Sequence, residues 1–303
     1  MIFVSKGYFK SKNCLREVQC TMQKDKPIAL THDSATYLST YMPLAKICDE
    51  ECPTEMLGIF RGRTVIPWHR IQEFQLVSLK LLAEQLLLGC LSTPLGCPSK
   101  VSQNSIDLYI PGELPLRKMA LHGRILVYAS PYNPGALPVA MDLAASMGGH
   151  LEVTGDPTAI TTKLPDTTRK RTTVFMLYLN DKTFLSTAGE MLANELRTVR
   201  TEGSTVKVIM VHENDTDRGG CDFGIFFDGR TPQDLLQDGL FKALALALYS
   251  HVHWPVSVAL VANAMGATAA KLWSRGSFTT ASATRSAVGQ EAAGTESVQV
   301  VVS

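Results

Sequence analysis

Short runs of consecutive apolar residues alternate along the chain with longer segments whose apolar residues recur every three or four positions. The short runs are typical of strands buried on both faces of a parallel sheet, and the longer segments of amphipathic helices. The predicted strands are 2–4, 28–31, 64–66, 124–128, 150–153, 174–178 and 206–211, and the predicted helices are 6–23, 72–88, 134–147, 182–200, 231–250 and 255–265. This alternation predicts an α/β fold, doubly wound rather than a barrel, because the elements are too few for eight repeats.

The two halves of the chain share an order of landmarks. In each half a buried strand and a helix precede a strand that ends in His and an acidic residue, at His32-Asp33 and His212-Glu213. The segments 58–64 and 224–231, which both begin Gly-Ile-Phe and end Gly-Arg-Thr, come next, and a Leu-rich helix follows each. The second half has two further strands before the shared part. We therefore predict a tandem repeat whose first unit has lost its opening strands, together with N-terminal sequence.

Changes in composition predict the domain boundaries. Residues 1–90 form the partial first unit and residues 119–266 form the second. Residues 91–118 are rich in Gly, Ser, Pro and Cys with little periodicity, which is typical of a linker. The tail at 267–303 is rich in Ser, Ala and Thr and has almost no large apolar residue before Val298, so we predict that it is disordered.

The charge balance and the cysteines narrow the class of protein. Lys and Arg total 29 against 28 Asp and Glu, and this balance argues against nucleic acid or an anionic membrane as the main partner. No run reaches the ~18 apolar residues of a membrane span, and the first residues lack the pattern from which a signal peptide would be predicted. The seven cysteines follow neither a disulfide pattern nor the spacing of a zinc site. These features predict a cytoplasmic protein with free thiols, no metal and no membrane span.

The most informative stretch is the run SKGYFKSKNCLREV at 5–18. A Ser that closes a strand, an aromatic residue, a second Ser and a Cys-Leu-x-Glu segment resemble the pattern of Toll/interleukin-1 receptor (TIR) domains. The matching residues are Ser5, Tyr8, Ser11, Cys14, Leu15 and Glu17, and Asn13 stands where the family usually has Trp. The resemblance covers residues 1–90 as a partial domain and about 119–266 as a divergent one. It implies a flavodoxin-like parallel sheet with helices on both faces, in two tandem TIR-like units.

The resemblance implies two activities. TIR domains associate with one another to pass signals, and some cleave the nicotinamide–ribose bond of NAD+, which is then a substrate rather than a cofactor. In enzymatic members the Glu of the Cys-Leu-x-Glu segment is the key residue, and it corresponds to Glu17. A fixed carboxylate can stabilise the positive charge that develops on the ribose. The same resemblance makes Ser5, Tyr8, Ser11 and Cys14 candidate substrate-binding residues. The alternative is that Glu17 is an ordinary exposed helix residue.

The second unit departs from the TIR pattern. Asn180 replaces the strand-closing Ser and Thr183 replaces the aromatic residue, whereas Ser186 is kept. Glu195 is the second catalytic candidate, but Glu190 could equally be the counterpart of Glu17, and both could be structural.

A third candidate feature precedes the helix at 72–88. Trp68 and Arg70 are residue types that often anchor protein interfaces, so they are candidate interaction residues, although packing against the preceding loop would also explain them.

We expect an intracellular signalling or scaffold protein that acts by TIR–TIR association, including self-association. The alternative is an NAD+ glycohydrolase that uses Glu17.

Overall fold

The computed structural model describes residues 1–36, 38–91, 108, 110, 119–121, 123–147, 150–161, 171–201 and 204–269. These residues belong to two compact units, within Met1–Glu113 and Leu114–Ala270. Most of the predicted linker at 91–118 and of the predicted tail at 267–303 lies outside the described residues.

The first unit contains a three-stranded parallel sheet in the order β1-β2-β3. Its elements are β1 (Ile2–Val4), α1 (Lys12–Gln23), β2 (Leu30–Asp33), α2 (Leu44–Glu50), β3 (Val65–Trp68) and α3 (Gln72–Leu91). Alternate residues of the strands face opposite sides of the sheet. On one side Val4 and Leu30 pack with Val18 of α1 and Ile47 of α2. On the other side Ile66 packs with residues of α3. The strands are therefore covered on both faces, as their continuous apolar runs predict.

Two predictions for the first unit need correction. The predicted helix at 6–23 is a single 3-10 turn at Tyr8–Lys10 followed by α1, because Ser11 adopts an extended conformation and caps α1. The sequence predicts no helix between the strands at 28–31 and 64–66, but the segment before Pro53 contains α2. That helix has seven residues and buries only Ile47, so it leaves too short a pattern to be recognised.

The second unit contains a five-stranded parallel sheet in the order β6-β5-β7-β8-β9. Its elements are β4 (Met119–Ala120), β5 (Arg124–Tyr128), α4 (Ala136–Met147), β6 (Leu151–Thr154), α5 (Thr158–Thr161), β7 (Arg171–Leu179), α6 (Ser186–Val199), β8 (Lys207–Glu213), α7 (Gln233–Gln237), β9 (Leu246–Leu248), α8 (Trp254–Ala264) and β10 (Thr268–Ala269). Relative to chain order the sheet runs 2-1-3-4-5, which is the flavodoxin-like order. The short strands β4 and β10 pair with each other.

Helices cover both faces of the five-stranded sheet. The face with Val127, Met176 and Val211 packs against α4 and α8. The opposite face, with Phe175 and Met210, packs against α6 and α7. This arrangement confirms the predicted α/β fold with a parallel sheet between two helical layers.

The predicted helix at 231–250 is wrong. The helix α7 spans only Gln233–Gln237, Gly239 then adopts a left-handed conformation, and Leu246–Leu248 forms the edge strand β9. Leu and Ala are strong helix formers, so the local sequence favours a helix. Pairing of β9 with Val211–Glu213 of β8 overrides that preference. The helix predicted at 255–265 is present as α8.

Candidate functional site

Ligands of open α/β proteins bind where the carboxyl ends of parallel strands meet. In the first unit Asp33 ends β2 and Arg70 follows β3 at this edge. The buried Asp33 carboxylate accepts a hydrogen bond from the Arg70 guanidinium at 2.5 Å. Ser34 Oγ donates to the Trp68 carbonyl at 2.8 Å and lies 3.2 Å from His69 Nδ1. The edge is therefore cross-linked by polar contacts between β2 and β3.

The loop that follows β1 is anchored by Glu51, at the end of α2. The Glu51 side chain is almost fully buried. Its Oε2 accepts a hydrogen bond from Gly7 N at 2.7 Å, and its Oε1 forms a salt bridge with Lys10 Nζ at 2.9 Å. Burial opposes the charge of Glu51, but the hydrogen bonds from Lys10 and Gly7 outweigh it and lower its pKa. Sequence reasoning missed Glu51, because nothing local to it marks a partner 44 positions away.

Tyr8, Cys14 and Glu17 lie close together beyond this loop. Ser11 caps α1 by accepting a hydrogen bond from Cys14 N at 3.4 Å. The Tyr8 phenol is partly buried, and burial, with the nearby Cys14 and Glu17, raises its pKa to about 12. Ser5 contributes its carbonyl, which accepts a hydrogen bond from Tyr8 N at 3.0 Å. Tyr8, Cys14 and Glu17 are thus neighbours, Ser11 acts as the helix cap, and Ser5 contributes only its backbone carbonyl.

Glu17 itself is exposed, on the solvent side of α1. Its carbonyl accepts a hydrogen bond from Thr21 Oγ1 at 2.7 Å, but its carboxylate makes no hydrogen bond or salt bridge with the described residues. A carboxylate without partners keeps its rotamer freedom and is not held towards a substrate. This placement is compatible with a catalytic Glu17 and with the alternative of an ordinary exposed helix residue, and none of the described residues orients the carboxylate.

Trp68 and Arg70 make contacts within the first unit. The Trp68 ring packs edge-on against Phe3, with ring centroids 6.0 Å apart. Arg70 is partly exposed and bound to Asp33. Both candidate interaction residues therefore have intramolecular roles at the sheet edge.

In the second unit Glu195 is better held than Glu17. Glu195 Oε1 accepts a hydrogen bond from Tyr128 OH at 2.7 Å, and its Oε2 is buried without a hydrogen-bond partner among the described residues. Burial, and then the bond to Glu195, raise the pKa of Tyr128. Glu190, the other candidate, is exposed.

Neither glutamate of α6 occupies the position that Glu17 has in α1. The N-cap residues of the two helices are Ser11 and Leu185. Glu17 lies six residues after the first of these caps, and the sixth residue after the second is Met191. The residues that follow them, Val18 and Leu192, are both fully buried, which supports the alignment. The second unit thus has an exposed methionine at the position that corresponds to Glu17 of the first unit.

Glu213, at the end of β8, is the most enclosed acid of the second unit's carboxyl edge. Its side chain is 2% exposed. Its Oε2 accepts a hydrogen bond from Tyr178 OH at 2.7 Å and lies 3.4 Å from Arg218 Nε, and its Oε1 accepts from Asn214 N at 3.1 Å and from Asp215 N at 3.0 Å. This network fastens β7, β8 and the following loop together.

The two histidines at equivalent strand ends have structural roles. His32 Nε2 donates to the Met42 carbonyl at 2.8 Å and anchors the loop after β2. His212 is buried, its ring is hydrogen-bonded to the Cys221 backbone, and it packs against Phe223 with centroids 5.2 Å apart. Burial lowers the pKa of His212, so its ring is neutral near pH 7.

Two shallow grooves lie on the second unit. One, of about 410 Å³, is lined by Phe184, Leu185, Ile225, Asp228, Gly229 and Arg230. The other, of about 300 Å³, lies beside Arg218 and Trp254, whose ring centroid is 5.6 Å from the guanidinium carbon. Across the described ranges, no three His, Cys, Asp or Glu side chains are grouped so that they could hold a metal ion. None of the helices in those ranges is long and apolar enough to cross a membrane.

Comparison with known proteins does not assign the chain to a family. No protein-family model, no curated protein and no solved structure matches the chain.

Proposed function

We propose that the protein is a signalling or scaffold protein of the cytoplasm, and that its α/β units act by associating with one another and with other TIR-like units. The observation that carries the proposal is Met191. It is 44% exposed at the position that Glu17 occupies in the first unit. An exposed apolar side chain in place of a catalytic carboxylate suits a contact surface and cannot stabilise a developing positive charge.

The state of Glu17 supports the same function. Its carboxylate makes no hydrogen bond or salt bridge with the described residues, whereas a catalytic carboxylate is held within narrow limits by its neighbours. Glu195 has such a neighbour in Tyr128, but it lies four residues further along α6 than Met191 does. Two units on one chain raise the effective concentration of each for the other and favour multivalent assembly.

The oligomeric state of the full chain tests this proposal. Sedimentation velocity and light scattering over roughly 1 μM to 100 μM cover the range of micromolar self-association. We expect the mean mass to rise with concentration, and Met191→Glu to weaken the association because it places a charge on the contact surface. Glu190→Ala, a neighbouring exposed position on α6, is the matched control and should behave as the wild type does. A chain that stays monomeric throughout this range would refute self-association.

The alternative function is cleavage of NAD+ with Glu17 as the catalytic carboxylate. It is favoured by the grouping of Tyr8, Cys14 and Glu17 beside a loop that Glu51 anchors. The test is NAD+ consumption by the purified chain, with Glu17→Ala compared with Glu195→Ala. Activity that disappears only in Glu17→Ala would establish the alternative, and an inactive wild-type chain would exclude it under the conditions used.

A further inference from the structure

The first turn of α6 begins in a way that costs stability. Leu185 is its N-cap residue, makes no side-chain capping bond and is 45% exposed. N-cap positions favour Ser, Thr, Asp and Asn because their side chains accept a hydrogen bond from the first turn. The equivalent residue of α1, Ser11, makes that bond. A leucine at this position therefore helps neither the helix nor the core.

The backbone around Leu185 is strained as well. Phe184 and Ser186 have φ angles of 63° and 61°, which lie in the left-handed region that residues other than glycine rarely adopt. The turn also needs Gly189, because a Cβ there would lie 2.3 Å from the Phe184 carbonyl carbon. The result of this turn is that Phe184 is buried in the core and Leu185 faces solvent. Strain and local conflicts of this kind concentrate at functional sites.

Leu185 lines the larger groove of the second unit, which we call the Leu185 groove and which comprises Phe184, Leu185, Ile225, Asp228, Gly229 and Arg230. Phe227, in the same loop as Asp228, is 53% exposed. The groove thus combines the apolar side chains of Leu185 and Ile225 with the charged side chains of Asp228 and Arg230, and interfaces between proteins mix such residues in the same way.

The two charged residues of the groove, Asp228 and Arg230, are opposite in sign. Asp228 is exposed, and Arg230 Nη1 donates a hydrogen bond to the Asp181 carbonyl at 2.5 Å, which holds the guanidinium in place. Within the part of the chain that the structure describes, neither Asp228 nor Arg230 takes part in a salt bridge. In a twofold dimer, residue i of one copy meets residue j of the other and the reverse also holds. One acid and one base on a single apolar groove are therefore self-complementary.

We propose that the Leu185 groove is a self-association surface and that its occupant is the same groove of a second copy of this chain. Leu185 of each copy packs in the groove of the other, and Asp228 of each copy pairs with Arg230 of the other. This inference rests on the proposed function, and it adds to the surface around Met191 a second surface through which copies of the chain associate.

Charge reversal tests the pairing. Asp228→Arg and Arg230→Asp each bring like charges together across the twofold axis, so each variant alone should self-associate at least about tenfold more weakly than the wild type. An equimolar mixture of the two variants restores both pairs, one with the native charges and one with the charges exchanged, and should form a heterodimer. Circular dichroism of each variant establishes that it is folded. A mixture of folded variants that stays monomeric would overturn the pairing.

Leu185→Ser separates a contact role from a structural one. Serine supplies the missing cap, so the melting temperature should stay the same or rise, while self-association should weaken about tenfold. Leu244→Ser, at an exposed leucine outside the groove, is the control and should associate as the wild type does. If the wild-type chain associates and Leu185→Ser and both charge variants associate equally well, the groove is not the contact surface, whereas the proposed function still holds. A wild-type chain that never associates would overturn both.

Discussion

Replacing Glu213 by Gln removes the charge from the most enclosed acid of the five-stranded sheet. In the native chain this carboxylate accepts hydrogen bonds from Tyr178 OH, Asn214 N and Asp215 N, and Arg218 Nε lies 3.4 Å from it. Glutamine keeps one of the two acceptor oxygens and places an NH2 group where the other stood. At the Oε1 position this NH2 group faces the amides of Asn214 and Asp215, and at the Oε2 position it removes the acceptor of Tyr178 OH and the charge beside Arg218.

The cost follows from these contacts. A hydrogen bond to a charged group contributes about 1.5–3 kcal/mol, and breaking a buried charge pair costs about 3–5 kcal/mol. Arg218 is partly exposed, so its share is screened and lies below that range. We expect Glu213→Gln to lower the free energy of unfolding by about 3 kcal/mol, which for a unit of this size lowers the melting temperature by roughly 10 °C. Tyr178→Phe removes one bond and should cost about 1.5 kcal/mol.

Guanidinium and thermal unfolding, followed by circular dichroism, measure both changes. The double variant should be more stable than the sum of the single effects predicts, because the two side chains share one hydrogen bond. Glu190→Gln, at an exposed glutamate of the same unit, is the control and should stay within about 0.5 kcal/mol of the wild type. The reasoning is refuted if Glu213→Gln also stays within that limit or if the two single effects simply add.

Three further predictions follow from buried or strained positions. The first concerns Glu51, whose replacement by Ala should destabilise the first unit by about 2 kcal/mol at pH 7, because it leaves the Gly7 amide unpaired. The pKa of Glu51 is lowered in the folded chain, so its stabilisation is present above the unfolded pKa and disappears as the pH falls through the folded pKa. Denaturation should therefore show a smaller difference in the free energy of unfolding between wild type and variant at pH 3 than at pH 7. The second is Gly189→Ala, which should lower the free energy of unfolding by about 3 kcal/mol in thermal melts, because the added Cβ would collide with the Phe184 backbone. The control is Gly58→Ala, whose Cβ would meet only a side-chain atom at 3.7 Å. The third concerns tyrosines whose folded pKa is raised, so their stabilisation is present below about pH 10 and disappears as the pH rises through the folded values. Absorbance at alkaline pH should show at least three of the eight tyrosines titrating late, and together with the others once the chain is unfolded. These are Tyr8, Tyr128 and Tyr178.

Local patterns were sufficient for most of the sheet and its long helices. The strand predicted at 124–128 is β5, and the helix predicted at 134–147 is α4 with its start two residues later. Strands buried on both faces need continuous apolar runs, so their signal is contained in their own residues. The edge strand β9 is the contrary case, because its Leu and Ala residues favour a helix and its pairing partner lies in β8.

For the candidate site too, the sequence was enough to predict some features and not others. Tyr8, Ser11, Cys14 and Glu17 belong to one loop and the helix that follows it, so the sequence was enough to predict that they lie together. The sequence could not show that Glu195 and Glu17 occupy different positions in their helices, because Leu185 is not a residue that normally begins a helix and the start of α6 was therefore not recognisable. The correspondence of Met191 to Glu17 became visible only when both helices were counted from the N-caps that the structure shows.

By itself the sequence determined the α/β class and the order of most elements, since these depend on the spacing of apolar residues within a few turns of helix or a few residues of strand. Only the tertiary structure decided which acids are buried and which groups hold them. Glu51 reaches Gly7 across 44 positions, and Glu213 reaches Tyr178 across 35. Burial and hydrogen bonding join residues that are distant along the chain, so no local pattern of polar and apolar positions encodes them.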